Sequence, residues 1–171
     1  MPGSVIRLRP SAPLRGEVVV PGAKNSVLKL MAAALLADGR YELSNVPDIA
    51  DVGIMAELLR SIGLRIDIDA PSGLVHIENT GRLTPVAPYE LVERIRASVN
   101  VLGPLLTRCG HVVLSMPGGD DFGSRPIDMH VKGLEAMGAT FKFSHGNVVA
   151  FADRLHGAEV TFEFPSVGAT E

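Results

Sequence analysis

The sequence predicts an α/β fold built from a repeated unit. Hydrophobic patterns with helical spacing alternate with strand-like patterns along the 171 residues, which is typical of packed layers of helices and strands. The same order of patterns occurs twice, since Leu36 and Pro47 lie 70 residues before Leu106 and Pro117. This spacing indicates a duplicated α-β-α-β-β unit. Apolar residues make up 46% and charged residues 20% of the chain, as in a globular protein.

The first copy follows two short predicted strands, 5–9 and 17–20, which a proline-containing turn separates. Apolar side chains from Leu28 to Leu36 recur on one face of its first helix. Its predicted elements are a helix from Lys24 that Gly39 ends, a strand at 41–45, a helix opened by Asp48 or Asp51 and ended by Gly63, and a hairpin of strands 64–69 and 74–78.

The second copy follows a linker at 79–88 that carries two prolines. Its first helix contains Gly103 and Pro104, which predict a kink or a break at that point. Its predicted elements are a helix over 91–106, a strand at 111–115, a helix over 127–137 that Gly138 ends, a hairpin of strands 140–143 and 148–151, a strand at 160–164, and a helix that opens at 165–168.

A glycine-rich loop distinguishes the second copy from the first. Gly63 and Gly138 end equivalent helices but lie 75 residues apart, so five extra residues follow Pro117. The loop, PGGDDFGSR, carries the carboxylate of Asp120 and the guanidinium of Arg125 just before a helix N-terminus. Flexible backbone, an acid and positive charge together suit an anionic substrate that needs a proton donor. A capped surface turn is the alternative, but an insertion in one copy alone favours function.

Composition excludes several other classes of protein. The net charge is −3 and there is no block of basic residues, so we do not expect nucleic acid as a partner. The longest apolar run, 30–37, is too short to span a membrane. The five histidines form no HxH or HExxH pattern, so no metal site is expected. The start, MPGSVIRLRP, lacks the apolar region of a signal peptide and Cys109 has no internal partner, which predicts a cytoplasmic protein.

Four segments resemble the enolpyruvyl transferases and occur in that family's order: KNS at 24–26, RASV at 96–99, PGGDDFGSRPIDMH at 117–130 and SVGAT at 166–170. The resemblance covers almost the whole chain. It implies an inside-out α/β barrel, made of repeated units with their helices inside, that is incomplete in this chain.

The resemblance also implies domain boundaries. Residues 1–22 correspond to a strand segment that packs on a second domain, which we expect to be absent from this chain. Residues 23–171 correspond to the first domain, with two units and the start of a third. We therefore expect the chain to be the N-terminal part of a longer enzyme that is inactive without the rest.

The activity implied is transfer of the enolpyruvyl group of phosphoenolpyruvate to the 3-hydroxyl of UDP-N-acetylglucosamine, with release of phosphate. This is the first committed step of peptidoglycan synthesis and needs no cofactor. The resemblance makes Lys24 and Asp120 catalytic, and assigns phosphoenolpyruvate to Lys24, Asn25 and Arg125. The positions that correspond to UDP-N-acetylglucosamine contacts are Arg96, Arg125, Pro126, Ile127, Asp128, Met129, Ser166 and Val167.

Three positions depart from the family pattern. Asp120 stands where the proton donor is usually Cys, although some members carry Asp there; Asn100 replaces a common Trp, and Phe164 a common Lys. His130 is close enough to the loop to support its residues. Two alternatives stay open: a non-catalytic module that binds a uridine nucleotide, and a secondary-metabolism paralogue that acts on another nucleotide sugar.

Overall fold

The computed structural model describes residues 5–118 and 126–170. Helices and strands alternate over this part of the chain, as the sequence predicts. In chain order they are α1 (Lys24–Ala33), β1 (Gly39–Leu43), α2 (Ala50–Ile62), β2 (Arg65–Asp69), β3 (Leu74–Asn79), β4 (Val86–Ala87), α3 (Tyr89–Val92), a 3₁₀ helix (Arg96–Val101), α4 (Leu102–Cys109), β5 (His111–Ser115), α5 (Asp128–Ala136), β6 (Thr140–Ser144), β7 (Asn147–Phe151) and α6 (Val167–Thr170). None of these helices is long and apolar enough to cross a membrane.

Two sheets confirm the predicted duplication. The first is antiparallel with the strand order β1-β3-β2, and the second repeats this arrangement as β5-β7-β6. The short strand β4 joins the second sheet in parallel with β5. The second copy therefore begins one strand earlier than the sequence indicates, inside the segment 79–88 that the pattern predicts as a linker.

The hydrophobic core lies between the helices and the two sheets. Met55, Leu58 and Ile62 of α2 are fully buried, which confirms the predicted face of that helix. Leu36 is an exception, since half of its surface is exposed. Because α1 ends at Ala33, the following turn no longer keeps Leu36 on the buried face.

Glycine and proline mark helix boundaries, but not always where their position in the sequence indicates. Gly63 ends α2 with a φ of 124°, a conformation that favours glycine. The predicted helix over 91–106 is broken before Arg96, and it changes from 3₁₀ to α-helix at Leu102, next to the predicted kink or break at Gly103 and Pro104. Pro104 lies in the first turn of α4, where a missing N–H and a fixed φ are tolerated.

The predicted strands at 5–9, 17–20 and 160–164 are also wrong. All three segments have irregular backbone, and residues 5–20 are exposed throughout. A strand needs a neighbour with which its backbone N–H and C=O groups can pair. None of the strands in the described part of the chain pairs with these segments.

Candidate functional site

A cavity of about 650 Å³ lies where the N-terminal turns of several helices meet. The starts of α1, the 3₁₀ helix, α5 and α6 all contribute to its lining. The first N–H groups of a helix lack intrahelical partners and carry the positive end of the helix dipole. Their convergence suits an anionic ligand.

Positive side chains reinforce this electrostatic preference. The ammonium Nζ of Lys24 lies 2.7 Å from Oδ2 of Asp51, and these side chains are 56% and 27% exposed. The described lining has one carboxylate and four cationic side chains, which are Lys24, Lys29, Arg94 and Arg96. Asp51 pairs with Lys24, and the guanidinium of Arg94 pairs with Glu57, a carboxylate that is not part of the described lining.

Arg96 connects two of the helix starts. Its Nη2 donates a hydrogen bond of 3.0 Å to the carbonyl of Pro126, directly before α5. The buried hydroxyl of Ser98 donates to the carbonyls of Ile95 and Val92, which fixes the beginning of the 3₁₀ helix. Arg96 is therefore held at the point where the chain leaves the glycine-rich loop and enters α5.

The start of α6 has its own cap. The backbone N–H of Ala169 donates to Oγ of Ser166 at 3.3 Å, which is the usual interaction of a serine before a first helical turn. Ser166 and Val167 both line the cavity. The SVGAT segment thus reaches the same cavity as Lys24, although 142 residues separate Lys24 from Ser166 in the sequence.

The structure brings together most of the described candidate residues. The cavity lining includes Lys24, Asn25, Arg96, Pro126, Met129, Ser166 and Val167. Ile127 is only 3% exposed and packs with Val99 and Val148, so a ligand could reach only its backbone. Asp128 is exposed in the first turn of α5 but does not line this cavity. Asp120 and Arg125 lie outside the described residues.

Gly118 is the last described residue at the start of the glycine-rich loop, and its contacts show where the loop begins. Its N–H donates to the carbonyl of Val92 at 3.3 Å, and a Cβ at this position would lie 1.8 Å from the carbonyl oxygen of Glu93. Only glycine fits against this backbone. The loop therefore starts beside α3, a few residues before Arg96.

Three charged residues of the cavity were not among the predicted site residues. The sequence predicts Asp51 only as a possible helix start, and its patterns give no role to Lys29 or Arg94. Lys29 follows Lys24 on the same helix, and Arg94 lies just before the RASV segment. Proximity to the predicted residues was the one sequence signal that could have identified them.

His130 lies in the wall of the cavity and has an unusual environment. Its Nδ1 is buried without a hydrogen-bond partner among the described residues. Burial lowers the pKa of His130 below its usual value of 6.5, and contact with the backbone of Gly168 opposes this effect. The positive charge of Arg96 lowers the pKa further, while Asp128 raises it.

The lowered pKa of His130 predicts a pH effect on stability. The unfolded chain binds the proton first, so His130 should destabilise the fold as the pH falls through 6.5 toward the lower folded-state pKa. Above 6.5 this destabilisation is absent. Urea unfolding between about pH 7.5 and about pH 5 should therefore show a shallower loss of stability for His130→Gln than for the unchanged chain. Equal pH slopes for the two proteins would contradict the prediction.

Comparison with known proteins assigns the chain and its fold to a class. The family model described as EPSP synthase (3-phosphoshikimate 1-carboxyvinyltransferase) matches residues 8–171. The chain therefore belongs to this family of enolpyruvyl transferases, and its resemblance to the family is confirmed.

Individual relatives carry the name of one particular enzyme of this kind. The UDP-N-acetylglucosamine 1-carboxyvinyltransferase of Corynebacterium efficiens is 54% identical over 160 residues, which are 94% of this chain and 38% of that protein. The protein of the same name from Nocardia farcinica is 54% identical over 162 residues, 92% of this chain and 38% of its own length. The chain thus spans little more than a third of the length of the curated relatives that it matches.

Solved structures agree on the architecture. The enolpyruvyl transferase NikO from Streptomyces tendae matches with a TM-score of 0.72 and 26% identity, over 83% of this chain and 31% of that one. EPSP synthase from Acinetobacter baumannii matches with a TM-score of 0.69 over 90% of this chain and 36% of that one. At 20% identity the second match shows the fold alone. Both confirm an incomplete enolpyruvyl transferase barrel.

Proposed function

We propose that this chain supplies part of the active site of an enzyme that transfers the enolpyruvyl group of phosphoenolpyruvate to the 3-hydroxyl of UDP-N-acetylglucosamine. Phosphate is released, and the product enters cell-wall peptidoglycan synthesis in the cytoplasm. Relatives named for this activity, 54% identical over nearly the whole chain, support the acceptor.

One observation supports the proposal most strongly. The cavity at the helix starts gathers KNS, RASV and SVGAT, three separated segments of the family resemblance, around positive charge. Both proposed substrates are anions, since each carries phosphate groups. Ammonium and guanidinium groups beside helix starts are the groups that the binding of two phosphorylated substrates requires.

Each residue has a proposed role in this reaction. Lys24 and Asn25 hold phosphoenolpyruvate, because a compact ammonium suits the phosphate and carboxylate of that polyanion. Arg96 orients the start of α5 and binds the nucleotide sugar, with Arg125 completing both substrate sites. The remaining nucleotide-sugar contacts are Pro126, the backbone of Ile127, Asp128, Met129, Ser166 and Val167.

The proposed chemistry is addition followed by elimination. The 3-hydroxyl gives its proton to a general base as its oxygen bonds to the central carbon of phosphoenolpyruvate, while Asp120 gives a proton to the methylene carbon. The adduct then loses phosphate and a proton from the new methyl group, which restores the double bond on the acceptor. No cofactor is needed. The remaining part of the relatives' length supplies the other contacts, and residues 1–22 pack on that second domain.

The isolated chain should bind UDP-N-acetylglucosamine weakly. Only part of the contacts is present, so calorimetry should give a dissociation constant near or above ~1 mM, or roughly −4 kcal/mol. A micromolar constant would favour the alternative of a uridine-nucleotide-binding module. Absence of any binding at about 10 mM, ten times the expected dissociation constant, would contradict the assigned acceptor.

A further inference from the structure

Asp51 places a negative charge in a cavity whose helix starts suit anions. It is the one carboxylate in the described lining, together with four cationic side chains. Both proposed substrates are anions, so a negative charge in the cavity opposes their binding. A carboxylate that repels the substrates can help the reaction only through another group of the site.

Fold stability does not account for the position of Asp51. Its ion pair with Lys24 joins side chains that are 27% and 56% exposed, and ion pairs this accessible contribute little to folding. The helix α2 is already held by its buried face, in which Met55 and Leu58 are fully buried. The main effect of the pair is therefore on Lys24 itself.

The start of α1 fixes the backbone of Lys24 but not its ammonium. Lys24 is the first residue of α1, which has no acidic side chain in its first turn and no side-chain cap at Ala23. The positive end of the helix dipole repels an ammonium at this position, and the four-carbon stem of lysine is flexible. Without a counter-charge, Lys24 would turn away from the helix start and into solvent.

Asp51 supplies the restraint that α1 lacks. Its carboxylate lies in the first turn of α2, where the helix dipole favours negative charge, and its Oδ2 lies 2.7 Å from Nζ of Lys24. The side chain of aspartate is short and the next residue, Val52, is buried, so this carboxylate has little freedom to move. It holds the ammonium of Lys24 where the starts of α1 and α2 meet.

Other cations of the cavity do not compete for this carboxylate. Arg94 pairs with Glu57, and Nη2 of Arg96 donates to a backbone carbonyl. Within the described part of the chain, the ion pair of Asp51 is with Lys24. An ammonium has three N–H donors, so one bond to Asp51 leaves two for a ligand. Two donors match the phosphate and the carboxylate of phosphoenolpyruvate.

We propose that Asp51 is a positioning residue for the enolpyruvyl transfer, which holds one N–H of Lys24 so that the other two point at phosphoenolpyruvate. This inference rests on the proposed function. Asp51 acts on the reaction through Lys24 and does not bind the substrate. Its charge weakens the binding of phosphoenolpyruvate, and its hold on Lys24 raises the rate at which the bound substrate reacts.

Asp51→Asn tests this role because it removes the charge and keeps the shape of the side chain. The protein for the test is a single-chain chimera of residues 1–171 and the C-terminal part of the Corynebacterium efficiens relative. Its kcat should fall by about 10- to 100-fold, since misplacing a group at the reacting atoms has effects of this size. Its KM for phosphoenolpyruvate should fall by at least about twofold, because one repulsive charge is gone. Partial unfolding would lower kcat alone.

Two matched variants serve as controls. Asp51→Glu keeps the charge, so it should restore the KM of the unchanged chimera and recover part of the lost kcat. Asp38→Asn makes the same change in the ion pair of Asp38 with Arg108, which lies outside the described lining. It should change kcat and KM by less than about twofold.

A second background tests whether Asp51 acts through Lys24. In a chimera that already carries Lys24→Ala, the further change Asp51→Asn should lower kcat by less than about twofold, because no ammonium remains to be held. An equal loss of kcat in both backgrounds would overturn the proposal.

The restraint can also be measured without turnover. In residues 1–171, Asp51→Asn should speed the acetylation of Lys24 by acetic anhydride at least about threefold, as mass spectrometry would show, since a paired amine is less accessible. Lys132 pairs with Glu163 away from the cavity and should react at an unchanged rate. An unchanged rate at Lys24 would overturn the proposal whatever the chimera does.

The kinetic outcomes separate this role from the proposed function. A kcat of the Asp51→Asn chimera within about twofold of the unchanged one would overturn the positioning role alone. A raised KM would also overturn it, since the carboxylate would then help to bind the substrate. A folded chimera with Asp51 in place that releases no phosphate would instead count against the proposed function.

Discussion

Replacing Lys24 by alanine should lower kcat/KM for phosphoenolpyruvate by about 100- to 1,000-fold, the usual effect of removing one group that stabilises charge in a transition state. The protein for this measurement is a single-chain chimera that joins residues 1–171 to the C-terminal part of the Corynebacterium efficiens relative. Lys24 lies at the start of α1 in the cavity and is held by Asp51 at 2.7 Å. In the proposed reaction its ammonium offsets the negative charge of phosphoenolpyruvate, which the dipole of α1 alone cannot neutralise. Phosphate release at varied phosphoenolpyruvate concentration measures the loss.

Two controls separate this role from general effects of charge. Lys132 on α5 forms an exposed ion pair with Glu163 and does not line the cavity, so Lys132→Ala should change kcat/KM by less than about twofold. The double variant Lys24→Ala with Asp51→Ala should be as impaired as Lys24→Ala. Recovery of activity in the double variant would mean that an unpaired Asp51, and not the loss of Lys24, causes the defect.

Replacing Asp120 by asparagine should reduce turnover of the chimera by about 100- to 10,000-fold, because an amide cannot donate the proton that a general acid supplies. Asp120→Cys should keep turnover, since Cys is the usual residue of the family at this position. The cysteine variant should also become sensitive to fosfomycin, an epoxide that alkylates a thiolate far more readily than a carboxylate.

Mass spectrometry after incubation with fosfomycin distinguishes these variants. A covalent adduct is expected on the Asp120→Cys chimera and not on the Asp120 chimera. An adduct on the unchanged chimera would contradict the prediction about carboxylate reactivity. Near-normal turnover of the asparagine variant would remove Asp120 from the role of proton donor.

Much of the fold could be predicted because its signals are local. The helical spacing of Met55, Leu58 and Ile62, with Gly63 after them, predicts α2 and its buried face, and the structure confirms both. The failed strands at 17–20 and 160–164 have equally strong local patterns. A strand depends on a neighbour from elsewhere in the chain, and a local pattern contains no information about that neighbour.

The site could be predicted only in part for a similar reason. KNS, RASV and SVGAT are recognisable as segments, but their convergence on one cavity depends on tertiary packing of α1, the 3₁₀ helix and α6. Asp51 and Arg94 carry charges at positions that look solvated in the sequence. The structure gives them a different role, since both line the cavity.

The most direct test of the proposed function is phosphate release by the chimera with each substrate alone and with both together. The chimera joins residues 1–171 to the C-terminal part of the Corynebacterium efficiens relative, so its cavity at Lys24 and Arg96 comes from this chain. The account predicts release only when phosphoenolpyruvate and UDP-N-acetylglucosamine are both present, with the enolpyruvyl ether of the amino sugar formed in equal amount. A folded chimera that releases no phosphate, under conditions where the intact relative does, would contradict it.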